Sequence, residues 1–323
     1  MKQIGLIGLG DQMQEELIPA LRTCEDLCTV VALCDIDAKK LDQTKKIFPN
    51  AKRYKDYRAL INASVIDAVV VSIPHYLYFP IVTYAVAKKI PIFKEKPFMM
   101  NKNEATKILK LYERTGVPIY TVSKRRFYDS YQMGKRYLKD LGSLYRYTAR
   151  HFLRWGKLHL GWRSSMAEAG GGVFMDLGYH MVDMTRDFFG MPQKVCMLKS
   201  KKEMPGYHYE VEDTASLLSG YPRGLHGLFE VGCFSGLKEE SLEIVGSDGY
   251  MRIEKERVFV KNKNTTAEYT YSLDSTKVNS DAFREFFKGN KDTMKKNIYE
   301  HYDNMCILDA AYNSERHNIW SRL

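Results

Sequence analysis

The chain has 323 residues, 45% of them hydrophobic and 27% charged, which is too long for one ordinary domain and suits two. No run nears the roughly 18 apolar residues of a membrane helix, and MKQIGLIGLG reads as a first strand rather than a leader, so a soluble cytoplasmic protein with no membrane partner is expected. The net charge of +10 is spread in pairs along the chain and is densest at Lys124-Arg125-Arg126; without a nucleic-acid motif it suits solvated surface or an anionic small molecule, and no nucleic-acid partner is expected.

Up to residue 122, strands predicted at 4–7, 29–34, 68–73, 90–93 and 117–122 alternate with helices predicted at 12–22, 38–47, 78–88 and 102–115. Alternation of this kind implies α/β structure with a doubly wound parallel sheet, and the nearly continuous apolar strands suit a sheet covered on both faces. Beyond 122 the pattern changes. A helix at 131–140 leads to an alternating strand at 144–153. A turn at Gly170-Gly171-Gly172 precedes a helix at 174–189. Extended segments follow at 194–199, 213–218, 224–231, 241–245, 250–254 and 257–260, and a last helix at 299–314. Clustered strands with few helices between them predict an α+β domain with a mostly antiparallel sheet. Six scattered cysteines, of which only Cys24 and Cys28 are close, complete no zinc site, so no metal is expected.

Gly8-Leu9-Gly10-Asp11-Gln12-Met13 directly follows the first strand and opens a helix, the context a dinucleotide fingerprint requires. Gly8 permits the tight turn and Gly10 a close backbone approach to a pyrophosphate lying on the helix N-terminus. Met13 fills the slot of the third glycine, which serves helix–strand packing. Asp35 ends the second strand 25 positions after Gly10 (35 − 10), where a carboxylate accepts from ribose hydroxyls and repels a 2′-phosphate. NAD is therefore preferred, with Lys39 and Lys40 leaving NADP open. The plainer readings are a simple strand-to-helix turn and, for Asp35, a helix N-cap, a role Asp37 fills equally well.

Two further segments carry chemistry. In Phe93-Lys94-Glu95-Lys96-Pro97, at the carboxyl end of a parallel strand, a lysine can donate to a developing alkoxide. In Asp176-Leu177-Gly178-Tyr179-His180-Met181-Val182-Asp183, Asp176 and His180 are four apart on a helix, so a carboxylate can orient an imidazole base. Singly, Lys96 is equally a surface lysine and His180 a core histidine.

Together with Ser72-Ile73-Pro74-His75, Lys124-Arg125-Arg126-Phe127, Gly161-Trp162-Arg163, Glu212-Asp213-Thr214 and Gly246-Ser247-Asp248-Gly249, these segments give nearly the whole chain a resemblance to the Gfo/Idh/MocA family of oxidoreductases. The resemblance implies an NAD(P)-binding Rossmann domain at 1–122 and a substrate-binding and dimerisation domain at 123–323. It also implies a sugar, cyclitol or sugar-derivative substrate bound between them. Lys96 becomes the lysine at the reacting oxygen, and Asp176 and His180 the acid–base pair. Cofactor contacts are expected from Gly8, Gly10, Asp11, Gln12, Met13, Asp35, Ser72, Ile73, Pro74, His75, Glu95, Lys96, Trp162 and Arg163. Substrate contacts are expected from Lys96, Lys124, Tyr179 and His180. Departures at Tyr78, where many members carry histidine, and at Tyr128-Asp129, in place of Asp-Pro, bear on the substrate rather than the chemistry. An NAD-dependent glycoside hydrolase with transient redox and a non-catalytic NAD(P) sensor are the alternatives, and a homodimer or homotetramer is expected.

Overall fold

Parallel strands need crossovers, and the first third of the chain supplies a helix after each strand. The computed structural model describes residues 1–63, 65–154, 156, 160–201, 207–233, 236 and 238–323. In it, β1 (Lys2–Ile7), β2 (Cys28–Cys34), β3 (Lys52–Tyr54), β4 (Ala68–Val71), β5 (Ile92–Lys94) and β6 (Ile119–Thr121) pair in the order β3-β2-β1-β4-β5-β6, all parallel. The order reverses between β1 and β4, the place where open α/β sheets bind ligands. All four residues of β4 are buried, as a two-sided sheet requires. The helix at 11–22 buries Leu17, Ile18, Ala20 and Leu21 as expected. The helices Ala38–Ile47 and Lys102–Thr115 keep their expected bounds, and side chains cap both starts. Asp37 accepts from the Lys39 N–H (2.8 Å), Asn101 from the Glu104 N–H (2.9 Å), and Gly116 closes the second helix at φ +66°.

The later strands are β7 (Leu144–Phe152), β8 (Lys194–Ser200), β9 (Thr214–Gly220), β10 (His226–Gly232), β11 (Glu239–Gly246), β12 (Gly249–Glu254), β13 (Arg257–Asn262), β14 (Thr266–Thr270) and β15 (Ser321–Arg322). They form one nine-stranded sheet in the order β14-β13-β12-β11-β7-β10-β9-β8-β15, antiparallel except where β10 lies parallel to β7. Alternate residues point to one face, where Tyr147, Ala149, Leu217, Phe229, Leu242, Ile244 and Met251 are buried, and the helices Asp129–Tyr137 and Tyr179–Phe189 pack on this sheet.

The chain forms two compact units, Met1–Lys124 with Asp274–Tyr302, and Arg125–Leu273 with Asp303–Leu323. A division at 122 has no place for this return. The helix Ser275–Lys288, which the sequence reading passed over, packs against the helix at 11–22 in the first unit: Arg284 donates to Asp26 (3.0 Å) and to the Thr23 carbonyl (3.0 Å). Asn297, in the helix Lys291–His317, exchanges bonds with Thr121 N–H (2.9 Å) and C=O (3.0 Å), satisfying the backbone of edge strand β6. Among the described residues, no helix is long and apolar enough to cross a membrane, and no group of three or more His, Cys, Asp or Glu side chains is placed to hold a metal ion.

Candidate active site

Parallel strands bring their carboxyl ends to one edge of the first sheet, so the residues after β1, β2, β4 and β5 meet there. Gly8 follows β1 at φ +82°, and a Cβ on it would lie 2.1 Å from the Ser72 carbonyl oxygen and 2.6 Å from Ile73 Cγ2; only glycine satisfies both constraints. The Gly8 N–H donates to the Cys34 carbonyl (2.9 Å), and the Leu9 N–H to Asp35 Oδ2 (2.7 Å). Asp35 Oδ1 accepts from the Asp37 N–H (2.8 Å), so Asp35 braces the glycine turn while Asp37 caps the helix. Gly10 faces open space, with Lys40 Nζ the nearest atom to a Cβ built there, at 4.0 Å. Met13 is fully buried in the third-glycine slot and begins a π-wound turn, Met13–Leu17; Asp11 is exposed beside it. π-Turns recur at functional sites. An open glycine, a helix start and a carboxylate with remaining lone pairs fit a dinucleotide.

The turn Glu95-Lys96-Pro97 leaves β5 beside this cradle, and the Lys96–Pro97 peptide is cis. The Glu95 N–H donates to the Val71 carbonyl (3.1 Å), which aligns the turn with the end of β4. Glu95 is buried; its Oε1 accepts from Gln12 Nε2 (3.2 Å) and lies 3.4 Å from Lys124 Nζ, itself 3.7 Å from Glu16 Oε2. Lys124, expected at the substrate, is thus flanked by two carboxylates. Lys96 is half-buried. His75 is buried with its ring 6.5 Å from that of Tyr78. Lys94, in the same segment as Lys96, has no role assigned to it from the sequence. It is fully buried, donates to the Glu95 and Pro97 carbonyls, and has Nζ 3.7 Å from the Tyr78 ring centroid. Burial pushes its pKa well below the usual lysine range; Glu95 opposes that shift and Lys96 adds to it.

In the second unit one helix carries the motif. Gly172 lets the chain close on Glu212, whose carbonyl oxygen would lie 2.0 Å from a Cβ there. The buried Glu212 Oε1 accepts from the Gly172 N–H (2.9 Å), the Phe174 N–H (3.1 Å) and the Tyr312 hydroxyl (2.8 Å), anchoring the helix start. Burial raises the Glu212 pKa, and these donors hold it back. Asp176 lies in a second π-wound turn, Phe174–Gly178, which runs into the helix Tyr179–Phe189. Asp176 is buried, and its Oδ2 accepts from Arg163 Nε (3.3 Å); the Arg163 guanidinium sits 4.3 Å from the Trp162 ring centroid. His180 is half-buried, its ring 6.4 Å from that of His151, whose Nε2 is 3.6 Å from Glu240 Oε2.

Several residues singled out from the sequence prove to be anchors. Asp183 accepts from Arg126 Nε (2.9 Å) and from Asn304 Nδ2 (2.8 Å). Arg125, in the basic cluster that suits solvated surface or an anionic small molecule, is buried and donates twice to Glu240, at 2.6 and 2.8 Å. Burial raises the Glu240 pKa, but Arg125 and His151 outweigh it and bring the carboxyl down to about 2. Tyr179, expected to offer its ring to a substrate, is fully buried, because it faces the core with Met181 and Val182.

Residues 2–123 match the model of the oxidoreductase family's NAD-binding Rossmann fold, and residues 138–252 that of the Gfo/Idh/MocA C-terminal domain. The chain belongs to the Gfo/Idh/MocA family. It is 30% identical over 182 residues, 55% of this chain and 49% of the relative, to a putative UDP-kanosamine synthase oxidoreductase subunit of Amycolatopsis mediterranei. It is 23% identical over 262 residues, 76% of this chain and 66% of the relative, to a D-apiose dehydrogenase of Paraburkholderia graminis. The matched part thus spans about half to two thirds of these curated relatives. Levoglucosan dehydrogenase in complex with NADH and levoglucosan shares the fold, with a TM-score of 0.89 at 17% identity over 99% of both chains.

Proposed function

We propose that the chain is an NAD-dependent dehydrogenase that interconverts a secondary alcohol and a ketone on a sugar, cyclitol or sugar derivative. The observation that carries this reading is the gathering of Gly8, Gly10, Asp35 and the Glu95-Lys96-Pro97 turn at one edge of the first sheet. A phosphate cradle, a ribose acceptor and a cation stand together there. The first unit takes the cofactor and the second contributes the acid–base group.

NAD, when bound, supplies the acceptor for hydride. Gly8, Gly10 and the helix start at 11–13 would hold its pyrophosphate and Asp35 its ribose. Ser72, Ile73, Pro74, His75 and Glu95 would flank it, and the family resemblance adds Trp162 and Arg163. Lys96 offers its ammonium to the reacting oxygen, stabilising the negative charge that grows there. His180 removes the hydroxyl proton, and Asp176 orients the imidazole. Lys124 acts indirectly, by neutralising Glu95. The names of the D-apiose and levoglucosan dehydrogenases support a carbohydrate substrate.

The test is incubation with NAD or NADP and a panel of D-apiose, levoglucosan, D-glucose, D-xylose and myo-inositol, following absorbance of the reduced cofactor. Stoichiometric NADH with one or more of them, and faster turnover with NAD than with NADP, are expected. Tight NAD binding with no reduction by any sugar points instead to a sensor. Cleavage of a glycoside without net NADH points to transient redox.

A further inference from the structure

We propose that Lys94 is a positioning residue for Lys96: its buried ammonium ties together the backbone on both sides of Lys96. The inference rests on the dehydrogenase reading, in which Lys96 works at the reacting oxygen. Lys94 is the last residue of β5 and its side chain is fully buried. An ammonium has three N–H donors. Two directions are met by the carbonyl oxygens of Glu95 (2.6 Å) and Pro97 (2.5 Å), the neighbours of Lys96 in the chain. The third is met by the face of Tyr78, 3.7 Å from Nζ to the ring centroid, well inside cation–π range.

Charge buried without partners is very costly, and here the partners are complete in number and in kind. An apolar side chain of similar length fills the same volume but joins no carbonyls. Pro97 has no N–H to donate, so the turn is held there through its carbonyl. A strand-like bond from the Glu95 N–H to the Val71 carbonyl fixes the turn where it begins. Lys94 fixes it again after Lys96, at Pro97. A cation that stabilises charge in a transition state must be placed to within a fraction of an ångström, and a shift of about 1 Å costs on the order of a hundredfold in rate. The phosphate cradle at Gly8 and Gly10 and the ribose acceptor Asp35 are built by other residues, so most of the cofactor affinity is expected to survive the loss of Lys94.

The test compares wild type with Lys94→Met, Tyr78→Leu and Tyr78→Phe, with Lys96→Ala alongside, using NAD and whichever of D-apiose, levoglucosan, D-glucose, D-xylose or myo-inositol wild type oxidises fastest. Lys94→Met is expected to lower kcat by about 30-fold, with sugar KM and NAD dissociation constant within about threefold of wild type. Tyr78→Leu is expected to lower kcat about fivefold, and Tyr78→Phe, which keeps the ring face, to restore most of that loss. Three results overturn the proposal: folded Lys94→Met with kcat within twofold of wild type; a kcat loss matched by equal losses in KM and NAD affinity; or a Tyr78→Phe defect as large as that of Tyr78→Leu. If Lys94→Met fails to fold, the Tyr78 pair decides. Native turnover by Lys96→Ala removes the underlying role of Lys96, whereas an inactive Lys96→Ala beside a fully active Lys94→Met removes only the role of Lys94. A wild-type protein that oxidises none of the sugars overturns both.

Discussion

The first unit gathers its functional groups at the ends of parallel strands, and the second carries them on one anchored helix. Around Gly8 the bonds run from peptide N–H groups to the Cys34 carbonyl and the Asp35 carboxylate, and Glu95 is set by the Val71 carbonyl. In the second unit the helix carrying Asp176 and His180 is tied by Glu212 at its start and by Arg126 and Asn304 at Asp183. Both motifs nevertheless lie where a helix widens into a π-turn. Each unit has a glycine at its motif that tolerates no added Cβ, Gly8 and Gly172, whereas the side-chain anchors fail one at a time, each at its own cost.

The largest expected loss lies among the side-chain anchors. Glu240→Ala strands the buried Arg125 guanidinium, and urea unfolding should show a destabilisation of about 3–5 kcal/mol at neutral pH. Because the Glu240 pKa is depressed from 4.5 to about 2, its stabilisation is fully present above 4.5 and disappears as pH falls through 2. The stability gap between wild type and Glu240→Gln should therefore narrow across that window, and a constant gap contradicts the pairing. Next comes the glycine turn. Gly8→Ala forces a left-handed φ and a clash with Ser72, costing about 3 kcal/mol and most NAD affinity; unfolding and NAD fluorescence titration check both. A native melting temperature in this variant contradicts the close approach of Gly8 to Ser72.

Asp35→Ala should weaken NAD binding about tenfold, roughly 1.4 kcal/mol, and relax discrimination against NADP. Equal cofactor preference before and after substitution rejects the ribose role. The smallest effect is at one anchor: Tyr312→Phe removes a single hydroxyl donor to Glu212 and should cost about 1 kcal/mol in urea unfolding, leaving NAD affinity intact.

The doubly wound sheet was legible because its strands are apolar runs and because Asp37, Asn101 and Gly116 mark helix ends chemically. β3, the helix Tyr57–Ile61 and β14 were not. β3 and β14 are short, largely exposed edge strands with no apolar run to mark them; β3 also pairs with the distant β2, whereas β14 forms a hairpin with β13. The helix Ser275–Lys288 does carry a local signature, the Asp274 cap with Val278, Ala282, Phe283 and Phe286 buried, but nothing local says which core that stripe joins. At the site, the glycine turn, Asp35, Lys96, Asp176 and His180 stand out as motifs. Lys94, the capping role of Glu212, the hold of Arg163 on Asp176 and the Arg125–Glu240 pair do not. A polar side chain looks the same in sequence whether water or a buried partner satisfies it. Tyr179 is the aromatic counterpart, its burial set by the orientation of a helix rather than by its neighbours in the chain.

The most direct test is turnover by Lys96→Ala and His180→Ala on the fastest sugar, measured beside the NAD affinity of each. A reaction needing one group from each unit predicts kcat lower by about 100-fold or more in both variants, with NAD affinity within about threefold of wild type. Near-native kcat in both would contradict it.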